Sequence, residues 1–187
     1  MIRSALLRRR GSLLWLGLIV VLALALGWLA LIPLLRAPTD GSVGTLVGRP
    51  APDLVAADLD GARWSLDSLD GADGRVVWVN FWATSCEPCR TEMPAMQRLA
   101  EVHADDLLIL GVDWGEEASA VADFADRYGV TYPILLDPGL DNYYRWAGTD
   151  GLPRHYFIAD GTVVREVIGP LDPARMVAML DELGVSR

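Results

Sequence analysis

The sequence predicts an α/β sandwich, a mixed central sheet with helices on both faces, preceded by one apolar helix. Three observations predict it. Apolar runs of strand length alternate with stretches of helical periodicity between Val76 and Trp146. A hairpin pattern follows: Tyr156-Phe157-Ile158-Ala159, then Asp160-Gly161, then Val163 to Ile168. Ahead of all this, Leu13 to Leu35 runs for 23 residues without a charge.

That first run comes to roughly 34 Å as a helix, enough to cross a bilayer core. No small-x-small cleavage pattern follows it; the run ends Leu31-Ile32-Pro33-Leu34-Leu35-Arg36. It reads as an uncleaved signal anchor over 13–35. Arg3, Arg8, Arg9 and Arg10 precede it, and Arg36 follows. The positive-inside rule then places residues 1–12 in the cytoplasm and the rest outside, as a single-pass protein of the cell membrane. Residues 36–45, rich in Pro, Gly, Ser and Thr, read as a linker. Residues 46–187 are long enough for one domain.

Within that domain, Leu54 to Ala57 and Arg63 to Leu66 flank Asp60-Gly61, a hairpin turn pair. Val76 to Trp82 is too apolar for a half-exposed strand and predicts a central one. Glu87 to His103 places Met93, Met96, Leu99 and Ala100 on one face, which predicts a helix. Leu107 to Val112 predicts a second buried strand. Ala118 to Tyr128 predicts a helix with Val121, Ala122, Phe124 and Ala125 inward. Pro133 to Leu136 is a short strand, and Leu140 to Trp146 a short helix or turn. Asp172 caps a last helix with Pro173 in its first turn, running to Leu183. The order implies parallel strands first and an antiparallel hairpin last.

All 16 basic residues are arginines, against 25 acidic residues, for a net charge of −9. Every acid and eleven of the arginines lie beyond Arg36, so that part carries −14. Such a balance argues against nucleic acid or anionic lipid as a partner of the domain.

Only two cysteines occur, Cys86 and Cys89, between the Val76–Trp82 strand and the helix that follows. A helix N-terminus offers unpaired N–H groups and partial positive charge, which favour a thiolate over a thiol. A purely structural disulfide across two intervening residues would gain little loop-closure entropy. A zinc site needs four ligands, and only His103 and His155 could join the thiols. Thiol–disulfide exchange is the reading that fits context and spacing together. An exported domain agrees with it, since disulfides persist outside the cytoplasm.

Over residues 46–185 the chain resembles the thioredoxin-like superfamily, and within it the membrane-anchored TlpA/ResA-type thiol–disulfide oxidoreductases. The residues that carry the resemblance are Gly48-Arg49-Pro50-Ala51-Pro52-Asp53, Val79-Asn80-Phe81-Trp82-Ala83-Thr84, Cys86-Glu87-Pro88-Cys89, Glu92-Met93-Pro94, and Gly151-Leu152-Pro153 before Tyr156-Phe157-Ile158. The resemblance implies a thioredoxin-like fold and a protein-disulfide oxidoreductase, with reduction the favoured direction. It implies that Cys86 attacks and that Cys89 is the buried resolving thiol. Glu87 and Pro88 tune the helix start. Pro153 would be a cis-proline packed against the Cys pair, and Leu152 would present its backbone to an extended substrate, with Trp82 completing the substrate-binding set. Asn80 stands where thioredoxins often keep a buried Asp. Glu92, three residues beyond Cys89, is the candidate to carry protons in its place, as the third catalytic residue.

No cofactor is implied. Partners would be protein disulfides, such as apocytochrome c or a respiratory copper-site protein, and a membrane thiol-transfer electron donor. Two departures stand out: Ser85 replaces the family's usual Trp, and Arg154-His155 follow the proline where Thr or Ser is common. The alternative is a copper-binding chaperone using Cys86, Cys89 and His155. A peroxidase lacks support, because Ala83 occupies the place of the Thr in a Thr-x-x-Cys arrangement.

Overall fold

The computed structural model describes Val21 and residues 46–67, 74–147 and 151–185. The expected basic segment, anchor and linker therefore lie outside the described residues, Val21 aside. Among the described residues no helix is long and apolar enough to cross a membrane.

The described residues form a seven-stranded mixed sheet. Its strands are β1 (Val55–Asp58), β2 (Arg63–Ser65), β3 (Val76–Trp82), β4 (Leu107–Asp113), β5 (Ile134–Leu136), β6 (Arg154–Ala159) and β7 (Thr162–Ile168). Its helices are α1 (Glu87–Val102), α2 (Ala118–Tyr128), α3 (Asp141–Ala147) and α4 (Pro173–Glu182). The strand order is β2-β1-β5-β4-β3-β6-β7. β3, β4 and β5 run parallel, while β6 and β7 close one side and the β1–β2 hairpin the other, all antiparallel. Every residue of β3 is buried, as its unbroken apolar run requires of a strand covered on both faces.

Alternation along β3 divides the core. Val76, Trp78 and Trp82 face Met93 and Met96 of α1, Phe124 of α2 and Met176 of α4. Val77, Val79 and Phe81 face Tyr143 and Trp146 of α3, together with Leu54. Before β1, residues 46–51 lie along the start of β7: Gly48 N–H donates to Val163 O at 2.8 Å, and Ala51 N–H to Gly161 O at 2.9 Å. The chain then crosses to β1 at the far side of β5, and Asp53 O accepts from Arg145 Nη1 and Trp146 Nε1 of α3.

Most boundaries differ from expectation by a residue at one end or both, and two of the differences bring polar residues into the sheet. β4 runs one residue further, to Asp113, and β6 begins two residues earlier, at Arg154. Both extensions are polar side chains drawn into the sheet by neighbours: Arg154 faces Glu166 at 3.8 Å, and both are buried. Such a pair is retained only where its partners are in place.

Gly111 of β4 is required by packing. A Cβ there would lie 3.0 Å from Trp82 Nε1 and 3.1 Å from the Tyr132 ring, both buried. Gly111→Ala is expected to destabilise the domain by about 1–3 kcal/mol through overpacking, seen as a lower urea midpoint. An unchanged midpoint would mean that both rings can give way.

Candidate active site

α1 begins where β3 ends, and its first turn holds the cysteines. Cys86 is the N-cap residue, and Pro88 lies in the first turn, where its missing N–H costs nothing. Cys86 and Cys89 are joined in a disulfide, with Cα atoms 5.3 Å apart. The Cys89 N–H points at Cys86 Sγ, 3.3 Å away. Once the bond is reduced, that N–H and the helix N-terminus favour negative charge on Cys86. Cys86 is half-buried and Cys89 is 2% exposed, so an incoming sulfur has access to Cys86. Glu87 is exposed and pairs with Arg90 at 3.0 Å.

The loop into the site is tied to the neighbouring strand. The Thr84 N–H and Oγ1 donate to Glu116 at 2.5 and 2.6 Å. The Glu116 N–H in turn donates to Asp113 Oδ2 at 2.8 Å. Burial first, and then the Glu116 charge, push the Asp113 carboxyl well above its usual range. On the other side, the Leu152–Pro153 bond is cis, Pro153 is buried and Leu152 is half-buried. Leu152 packs against the same core cluster as Cys86 and Cys89.

Glu92 sits one turn beyond Cys89 on the buried face of α1 and is 4% exposed. Its Oε1 accepts from the Leu171 N–H, and its Oε2 lies 3.5 Å from His155 Nε2. Burial raises its pKa to about 7, against a smaller opposing pull from the Leu171 N–H. The carboxyl can thus gain or lose a proton near neutrality, which a solvated helix glutamate cannot. Tyr132 lies close enough that burial, then the Glu92 charge, drive its own pKa far up.

Two expectations are corrected. Trp82, expected to touch substrate, is 0% exposed; its ring packs on Phe124 with centroids 5.1 Å apart. It is a wall of the core. His155, the third copper ligand of the alternative reading, is also 0% exposed. Its Nδ1 lies 3.3 Å from Trp78 Nε1 and 3.1 Å from Asn80 Nδ2, and its Nε2 faces Glu92. Among the described residues no cluster of three His, Cys, Asp or Glu is placed to hold a metal ion. Burial pulls the His155 pKa down to about 3.

Comparison with known proteins matches this arrangement. Residues 47–167 match the model of the AhpC/TSA family. The chain belongs to that family. It is 33% identical over 174 residues to the thioredoxin-like protein YneN of Bacillus subtilis, covering 89% of this chain and 96% of the relative. It is 34% identical over 160 residues to the thiol-disulfide oxidoreductase ResA of the same organism, covering 83% of each. A crystal structure of a thiol:disulfide interchange protein of the thioredoxin family from Chlorobium tepidum superposes with a TM-score of 0.63 at 28% identity, covering 78% of this chain and all of that one. This AhpC/TSA-family chain is thus a thiol–disulfide oxidoreductase of thioredoxin-like fold, with Cys86 and Cys89 as its Cys-x-x-Cys pair.

No motif announces the Asp113–Glu116–Thr84 tie or the burial of His155. Alternation from Phe157, a core residue, puts His155 on the same face of β6. That was the available signal for one of them.

Proposed function

We propose that the chain is a membrane-tethered reductase of protein disulfides outside the cytoplasm, held by residues 13–35. The observation that carries the proposal is the unequal exposure of the two sulfurs at the start of α1. Cys86, as thiolate, attacks a substrate disulfide; one substrate sulfur leaves and a mixed disulfide forms. Cys89 then attacks Cys86 Sγ, the second substrate sulfur leaves as thiolate, and two electrons have passed to the substrate. Leu152 and cis-Pro153 offer backbone to an extended substrate segment beside the sulfurs. Glu87 and Pro88 tune the helix start, and Glu92 takes up the proton that Cys89 sheds.

The tether rests on the uncharged run and its arginine flank. With one Cys pair in the chain, each cycle needs two electrons from outside it, and a membrane thiol-transfer protein is the proposed donor. Apocytochrome c and respiratory copper-site proteins are the proposed substrates.

The test is the reduction potential of the full-length protein in detergent, equilibrated against dithiothreitol. A value near or below about −250 mV is expected of a reductant. A value near about −120 mV would make it an oxidant that inserts disulfides and would overturn the direction proposed. A C-terminal reporter active only in the cytoplasm would overturn the topology.

A further inference from the structure

His155 is buried away from any copper-ligand role, and the exchange reading leaves it without work. Its surroundings fix its protonation. The Trp78 indole N–H can only donate, and it points at His155 Nδ1 from 3.3 Å. Asn80 Nδ2 stands 3.1 Å from the same nitrogen. Nδ1 must therefore accept, and the ring proton resides on Nε2. An imidazolium would set an Nδ1–H against the Trp78 N–H at this short distance, with both residues buried. Nε2 finds no hydrogen bond of normal geometry, and neither does Glu92 Oε2; the two atoms face each other across 3.5 Å, both buried.

We infer that His155 is a positioning residue: a neutral N–H donor, locked in one tautomer by Trp78, that holds Glu92 and sets the pH at which its carboxylate takes a proton from the thiols. The inference rests on the oxidoreductase reading and adds a residue to its proton path. The step balances simply. As Cys89 attacks Cys86 Sγ in the mixed disulfide, its S–H proton passes to the Glu92 carboxylate, and the substrate sulfur departs with the electron pair of the broken S–S bond. The His155 N–H and the Leu171 N–H each address one oxygen of that carboxylate. Donors aimed at the charged form hold it ready against the cost of burial.

Few other groups face this pair. From α4, the Arg175 charge further disfavours an imidazolium, while the Gly169 carbonyl beyond β7 acts the other way and is outweighed by burial. Ahead of β5 is Tyr132, a buried phenol that stays neutral. On α1 itself are the two thiols. β3 contributes only the uncharged Trp78 and Asn80.

The experiment follows disulfide exchange against pH with full-length reduced protein in detergent and oxidised glutathione as the probe. It compares wild type, His155→Leu, which removes the donor, and His155→Gln, which retains an N–H. His155→Leu is expected to move the midpoint of the rate profile upward by about one pH unit, roughly a tenfold slower exchange just below the wild-type midpoint. His155→Gln should stay near the wild-type midpoint. A shared midpoint for wild type and His155→Leu would overturn the role. Wild-type protein that exchanges at no pH would overturn the oxidoreductase reading instead. The imidazole ¹⁵N spectrum of the wild type gives a second reading independent of turnover. A neutral Nε2–H ring is expected from pH 5 to 8, at the edges of which an unperturbed imidazole is mostly charged or mostly neutral. An imidazolium within that range would overturn the lock. Should His155→Leu fail to fold, Trp78→Phe replaces it: freeing Nδ1 should raise the pH at which the ring protonates, and an unmoved ring titration would overturn the inference.

Discussion

Cys89→Ser in the full-length chain is expected to trap a mixed disulfide, and Cys86→Ser to form none. The asymmetry follows from where the helix starts. Cys86 caps α1, half-buried, with the Cys89 N–H directed at its sulfur, whereas Cys89 is 2% exposed and belongs to the buried core cluster that includes Met93. A substrate disulfide therefore meets Cys86 first. With serine at position 89 the adduct has no internal thiol to release it, so it accumulates and can be seen by mass spectrometry after exposure to a disulfide-linked peptide. With serine at position 86 nucleophile and adduct are both lost. Turnover with a protein disulfide should fall by on the order of a thousandfold or more, and by a similar factor for the double variant, because the two sulfurs act as a unit. An adduct on Cys86→Ser but not on Cys89→Ser would reverse the order of attack.

The second large effect is on stability, and its sign depends on pH. Glu92 has its pKa raised to about 7 in the folded chain, from 4.5. Between those values the native protein keeps a proton that the unfolded chain has released. Stability must then fall as pH rises: the contribution of Glu92 is whole below pH 4.5 and lost on passing through about 7. A shift of this size corresponds to roughly 3 kcal/mol. Glu92→Gln cannot ionise, so its stability relative to wild type should rise by up to that amount between pH 4.5 and pH 8. The amide also sets an N–H toward His155, a cost common to all pH values, so the slope and not the offset is diagnostic. His155 acts in the opposite sense: with its pKa lowered to about 3, its contribution is present above about 6.5 and lost as pH falls through 3. Urea titrations of the oxidised full-length proteins in detergent, followed by tryptophan fluorescence, would measure both. Parallel stability–pH curves for wild type and Glu92→Gln would mean that Glu92 ionises with an ordinary pKa.

Much of the scaffold was legible because its signals are local. The β3 run is apolar at every position except Asn80, the α1 face repeats at helical spacing, and Asp172-Pro173 marks the start of α4 with the Asp172 side chain accepting from the Arg175 N–H. The Cys-x-x-Cys pair, Glu92 and Pro153 were legible through family motifs. What was not legible depends on distant partners. Arg154 and His155 look like surface residues until β6 is paired with β3 and β7, which brings Glu166 to one and Trp78 to the other. Trp82 looks like a contact residue from its place beside the motif, yet strand alternation turns it toward Phe124. The grip of Glu116 on Thr84 joins positions 32 residues apart, and no spacing rule announces it.

The segment that leads into β1 has a consequence for association. An open sheet of this kind would normally offer two rows of unpaired backbone groups on which other chains could polymerise. Here residues 48–51 occupy hydrogen-bonding positions along the start of β7, with Pro50 bridging to Thr162, and the opposite border is β2, only three residues long. Unpaired strand borders are where one copy of a domain, or a foreign strand, can add to its sheet. Covering the start of one border and keeping the other short reduces the length of open edge on which a foreign strand could add to the sheet.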